Sequence, residues 1–422
     1  VLDGLRRFLS LLVLLVIFIF VLVGLAQDQT VVPDGVALIV APEGALVDQL
    51  SGDPVEWAIA RARGLPQSET LVKDIVDAIR VASDDERINV LVLDLDALGE
   101  AGLSKLQEIA NEIVMFKASG KPVIAAGDAF TRNQYYLAAH ADEVFMNPMG
   151  LIYLDGYSRY TPYYRKAIEN LSIDFNVWTV GEYKSFVEPI TRDDMSEEDR
   201  EASSVYLSAL WDAYQADVTA ARELDSGALQ RYADDASELL RVANGDTARM
   251  ALESGLVDEL LPRDVIVDRV REAVNGETDD EDGESSGFPR IGHLAYLQAT
   301  RAFEMSESAD ARVGVIIASG MILDGVQPGG TIGGDSTAAL VRRATEDEDI
   351  RALVLRVDSP GGSAFASEVV LRELEVFQES GRPLVVSMGS VAASGGYWIS
   401  MSADEIWASP TTLTGSIGIG AI

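Results

Sequence analysis

The sequence predicts an α/β protein built from two tandem repeats with mostly parallel sheets, preceded by one N-terminal transmembrane helix, with the second repeat incomplete. Three observations carry that prediction. Short β-branched runs alternate with helical patterns, as βαβ units require. The chain also matches itself. VLVLDLDALGEAGLSKLQEIANEIVMFKASGKPVIAAG, from Val90, parallels ALVLRVDSPGGSAFASEVVLRELEVFQESGRPLVVSMG, from Ala352. The match continues from Ala141-Asp142-Glu143 to Ala403-Asp404-Glu405 and from Pro148 to Pro410, and VALIVAPEGALVD from Val36 resembles VGVIIASGMILDG from Val313. Similarity on this scale reads as an internal duplication. Finally, an uncharged apolar run from Phe8 to Ala26 approaches the roughly twenty residues that span a bilayer as a helix.

Taken in order, residues 1–7 are a short N-terminus carrying Arg6 and Arg7. Positive charge beside an anchor keeps that end cytoplasmic and leaves the bulk of the chain outside. Residues 8–26 read as a retained anchor. A cleavable signal peptide is the alternative, since Gly24-Leu25-Ala26 ends in small residues, but the run exceeds the usual apolar region of about 7–15 residues. The first repeat spans 35–272, with strands expected near 36–41, 88–95, 122–126 and 142–146 and helices over 68–82, 102–119 and 131–141. A helical stretch near 196–224 has no strand partner nearby and is expected to make an arm or cap. NGETDDEDGESSG, residues 275–287, has little to bury and lies within a flexible acidic linker over 273–290. The second repeat spans 291–422. The first repeat continues far past Pro148, whereas Ile422 lies close behind Pro410, so the second is expected to be truncated at its C-terminus.

Composition excludes several chemistries. Hydrophobic residues make up 48% of the 422, enough for extended cores. A net charge of −35 argues against nucleic acid, because phosphate binding needs clustered Lys and Arg. Surface solvation is the plainer account of the acidity. The chain has no cysteine, hence no disulfide, thiolate catalyst or Cys-ligated metal. His140 and His293 sit in no metal-spaced cluster, so neither a metal nor a cofactor is expected.

The candidate chemistry lies in the second repeat. In GSVAASGGYW, Ser394 follows an apolar strand and precedes a helical pattern. A strand-to-helix turn exposes a hydroxyl at a helix N-terminus, and Gly395 and Gly396 allow close backbone approach. Asp358-Ser359-Pro360-Gly361-Gly362-Ser363 occupies a similar turn, where paired glycines can aim amide groups outward as an oxyanion hole. A phosphate cradle would need a following Gly-Lys-Ser/Thr, which is absent. The first repeat has Arg132 where Ser394 falls and Ala97-Leu98-Gly99-Glu100 where Ser359-Pro360-Gly361-Gly362 falls. A purely structural role would have been needed in both copies, so the contrast favours a grafted site. Neither histidine is placed to serve as base. Lysine can replace histidine where burial lowers its pKa, and Lys184 sits on an expected short strand among Trp178, Tyr183, Phe186 and Val187. By composition alone a surface lysine covering apolar neighbours with its stem explains Lys184 as well.

These features together, with GEYKSFVEPITRDDMS, DSPGGS, MGSVAASGGYW and TLTGSIGI, resemble the long form of the signal peptide peptidase A family over nearly the whole chain. That family comprises membrane-anchored Ser-Lys proteases of the bacterial envelope, related in fold to the Clp protease and crotonase group. The resemblance implies Ser394 as nucleophile, Lys184 as general base, Ser416 as the serine that holds the lysine, and oxyanion donors in the Gly361-Gly362 loop. It implies remnant signal peptides as substrates, an inner-membrane protein with its bulk in the periplasm, and a bowl-shaped homo-oligomer. The equivalent of Lys184 in the second repeat would fall beyond Ile422, so the residues alone leave a second lysine open. Two other functions fit parts of the pattern: a crotonase-like acyl-CoA enzyme, which would not need Ser394 paired with a lysine, and a non-catalytic envelope scaffold.

Overall fold

The computed structural model describes residues 31–63, 65–275, 287–304 and 311–421. The expected anchor over 8–26 and most of the acidic linker lie outside the described residues. Among those that are described, no helix is long and apolar enough to cross a membrane.

The chain is mixed α/β with two main parallel sheets. In the first, Val36–Val40, Ile88–Asp94, Val123–Gly127 and Glu143–Met146 lie side by side, flanked by Glu259–Leu260 at one edge and Arg290–Gly292 at the other. Every neighbouring pair is parallel. Ile88–Asp94 is buried almost throughout because both faces of the sheet are covered. Helices Val72–Asp84 and Leu103–Ala118 pack on one face, and Arg263–Asn275 lays Val270 and Val274 on the other.

The second sheet repeats that order with Arg312–Ser319, Ile350–Ser359, Leu384–Ala392 and Glu405–Trp407, again all parallel. Its strand Ile350–Ser359 alternates buried and half-buried positions, the pattern of a sheet packed on one face. Helices Gly334–Glu346 and Ala364–Glu379 cover that face, and Phe377 is fully buried there. Local details recur between the halves. Asp142 Oδ2 accepts from the Val123 N–H at 2.9 Å, and Asp404 Oδ2 accepts from the Leu384 N–H at 2.7 Å. Lys121 donates to the carbonyls of Ala82 and Asp85 as Arg382 does to those of Ala344 and Asp347.

Two expectations need correction. The helix expected from 68 begins at Val72, because Glu69–Leu71 pairs as a strand with Ala45–Val47. The helix Glu197–Ala221 is no free arm. Tyr214 and Val218 are buried in the first core, and the Tyr214 hydroxyl donates to the Arg132 carbonyl at 2.9 Å.

Candidate active site

The DSPGGS segment ends the strand Ile350–Ser359, and each residue has a local reason. The buried Ser359 Oγ accepts from the Gly361 N–H at 3.1 Å and tightens the turn. Gly361 and Gly362 have φ of +97° and +154°, which disfavours any side chain. A Cβ on Gly362 would stand 2.0 Å from the Ile322 carbonyl oxygen. Ser363 caps the helix Ala364–Glu379, its Oγ accepting from the Ala366 N–H at 3.2 Å.

Ser394 follows the strand Leu384–Ala392 and precedes the short helix Gly395–Trp398. Its φ of +50° and ψ of −115° form a conformation normally left to glycine. Neighbouring backbone over-determines it. The Ala393 N–H donates to the Ser359 carbonyl at 2.9 Å, and the Ser394 N–H to the Gly415 carbonyl at 3.3 Å. A helix of four residues has only a slight macrodipole, so the charge-stabilising capacity expected of a helix terminus reduces here to individual amides. Among the described residues, the N–H groups of Gly362 and Gly395 donate to no protein acceptor. The Gly361 N–H, expected as a possible oxyanion donor, is taken by Ser359.

Lys184 does not lie on a strand. It sits in the turn after Trp178–Val180, past Gly181 at φ +114°. That strand pairs antiparallel with Ile419–Ala421, so the segment from the first half lies alongside the serine turn of the second. Lys184 Nζ lies 2.9 Å from Ser394 Oγ, 2.7 Å from the Ser416 carbonyl oxygen and 3.1 Å from Ser416 Oγ. Ser416 itself has φ +54°. Lys184 is half-buried, its ammonium lies 5.7 Å from the centre of the Phe186 ring, and desolvation lowers its pKa below the ordinary lysine value. No carboxylate among the described residues forms an ion pair with it to oppose that shift.

The structure therefore brings Ser394, Lys184 and Ser416 together, with the Gly361-Gly362 loop beside them, around a cavity of about 430 Å³. Met321, Phe186, Trp398 and Ile419 add apolar walls. Sequence reasoning did not single out Gly395 as an amide donor, although its place directly after Ser394 was the available signal. His140 is remote from this cavity: its Nδ1 lies 2.7 Å from the Tyr136 carbonyl oxygen, and burial lowers its pKa. No cluster of metal-ligating side chains occurs among the described residues.

Comparison with known proteins gives matches to proteases. Residues 115–276 and 376–422 match the family described as Peptidase family S49, and the two segments hold Lys184, Ser394 and Ser416. The chain is 38% identical over 419 residues to "Protease 4" of Salmonella typhi and 35% identical over 416 residues to "Protease 4" of Haemophilus influenzae. Each alignment covers 98% of this chain, which spans 66% of the length of either relative. Among solved structures, a mutant of the "1510-N membrane-bound stomatin-specific protease" aligns with a TM-score of 0.32 at 12% identity, over 61% of this chain and 97% of that one.

Proposed function

We propose that this chain, which belongs to peptidase family S49, is a serine endopeptidase working through a Ser394–Lys184 dyad. The observation that carries the reading is the 2.9 Å approach of Lys184 Nζ to Ser394 Oγ. A neutral lysine amine has two N–H bonds and one lone pair. Two acceptors of Ser416, at 2.7 and 3.1 Å, can take the two N–H groups. The lone pair then faces the Ser394 hydroxyl. Desolvation favours the neutral amine that a base must be.

In the proposed reaction Lys184 takes the Ser394 proton as Oγ attacks the scissile carbonyl carbon. The amides of Gly362 and Gly395 hold the oxyanion, and Gly361 lets the loop approach. Lys184 then gives its proton to the leaving amine as the C–N bond breaks. Water, activated by the same amine, hydrolyses the acyl-enzyme and restores the serine.

The finer reading follows from the residues. Two tandem repeats of the Clp and crotonase type account for the matched strand orders and for the paired Asp142/Asp404 and Lys121/Arg382 contacts. The first repeat supplies the base and the second the nucleophile. Phe8–Ala26 anchors the protein in the bacterial inner membrane with the catalytic bulk in the periplasm, and the substrates are remnant signal peptides, whose apolar cores suit the apolar walls of the cavity. The active assembly is a homo-oligomer. An acyl-CoA enzyme would leave the Lys184–Ser394 contact without a purpose.

The test is peptidase activity on a fluorogenic signal-peptide fragment with wild type, Ser394→Ala and Lys184→Ala, together with labelling by a fluorophosphonate. Loss of activity in both folded variants, with labelling lost in Ser394→Ala, is expected. Activity in Ser394→Ala defeats the reading; activity in Lys184→Ala moves the base elsewhere.

A further inference from the structure

Lys105 lies on the helix Leu103–Ala118 of the first half, yet it is only 2% exposed. Its ammonium reaches into the second half. It contacts Asp358 Oδ2, lies 3.3 Å from Asp48 Oδ2 and donates to Ser390 Oγ at 3.2 Å. The two halves are close here. Ser104 Oγ is 2.9 Å from Ser390 Oγ, and a Cβ on Gly102 would stand 2.0 Å from that same atom. Arg356 completes the cluster, 3.3 Å from both Asp48 and Glu108. A buried ammonium is tolerated only when its charge is matched, and here Asp358 and Asp48 match the charge while Asp358 and Ser390 take hydrogen bonds from it.

Asp358 links this cluster to the reaction. It directly precedes Ser359-Pro360-Gly361-Gly362. Its Oδ1 accepts from the Val391 N–H at 2.9 Å, on the strand that leads to Ser394. Its carbonyl accepts from the Gly320 N–H at 3.0 Å, beside Met321 of the cavity wall. Asp358, next to last on the strand that enters the glycine loop, thus ties that strand to the one entering the serine turn.

We propose that Lys105 is a positioning residue: reaching across from the first half, it holds Asp358 and, through it, the spacing between the Gly361-Gly362 loop and Ser394. The inference rests on the Ser394–Lys184 reading. It gives the first half a second contribution to the site besides the base. It also makes docking of the two halves a condition for an aligned oxyanion loop.

Lys105→Met in the full chain tests it. The turnover number should fall about a hundredfold, as when reacting groups are misplaced by about an ångström. KM should change little, and the pH limb set by Lys184 should stay where it is in wild type. A limb that moves would mean Lys105 takes part in proton transfer and would overturn the proposal. Lys105→Met also leaves the half-buried carboxylates of Asp48 and Asp358 under-neutralised, so a second variant, Lys105→Met with Asp48→Asn, restores the charge balance. That double variant should regain melting temperature without regaining turnover. If turnover returns with the melting temperature, Lys105 is only a brace. Activity in Ser394→Ala, measured with Lys105 intact, would instead defeat the dyad reading itself.

Discussion

Gly361 is where the glycine loop presses directly on the serine turn of the proposed site. A Cβ there would lie 2.5 Å from the Gly395 nitrogen and 2.8 Å from the Ser394 Cβ. Comfortable contact needs about 3.5 Å, so Gly361→Ala must push the loop and the serine turn apart by about 1 Å. A displacement of that size costs about a hundredfold in turnover. The φ of +97° adds a backbone penalty of roughly 1–2 kcal/mol for any side chain. Gly381 separates the two effects. Its φ is +78°, but a Cβ there meets nothing within 4 Å. Gly381→Ala therefore carries the backbone strain without the clash. The assay is kcat and KM on a fluorogenic peptide, run beside a thermal melt for each variant. Both variants should lose stability, and only Gly361→Ala should lose turnover. Near-wild-type turnover in a folded Gly361→Ala protein would refute the claim that this backbone approach sets the site.

Three further outcomes are expected. Because the proposed base Lys184 must be a neutral amine and burial lowers its pKa, kcat/KM should rise with pH through a limb below the ordinary lysine range; a pH–rate profile with the limb at an ordinary lysine value would contradict the desolvation argument. Ser394→Gly should abolish activity yet raise the melting temperature, since it removes a strain on the order of 1–3 kcal/mol; a lower melting temperature would show that the turn is relaxed with serine. Phe377→Ala, in the core of the second half and under the Arg382 guanidinium, should cost about 3–5 kcal/mol by urea denaturation, and a loss below about 1 kcal/mol would indicate a core able to collapse around the gap.

Much of the scaffold was legible because its signals are local. The apolar runs at 36–41 and 88–95 became Val36–Val40 and Ile88–Asp94, and the helix expected over 102–119 became Leu103–Ala118. The misreadings share one cause, a partner distant in sequence. Val72 starts its helix late because Glu69–Leu71 is held by Ala45–Val47. The helix Glu197–Ala221 carries a weak apolar stripe, yet Tyr214 and Val218 find a core formed mainly by earlier segments. Lys105 follows the same logic. It reads as one more charged residue on a helix until Asp48 and Asp358 are folded around it.

By itself the sequence determined the main run of alternating strands and helices, the glycine-rich turn at DSPGGS and the placing of Ser394 at a strand-to-helix turn. These depend on side-chain periodicity and on local backbone freedom. Only the tertiary structure decided which group faces that serine. Lys184 is 210 residues away in the chain, and it arrives because Trp178–Val180 pairs with Ile419–Ala421. That ladder is made of backbone groups, which every residue carries, so it leaves almost no trace in residue identity. The lowered pKa of Lys184 likewise belongs to no residue alone, since desolvation exists only once Phe186, Ser416 and the serine turn surround the amine.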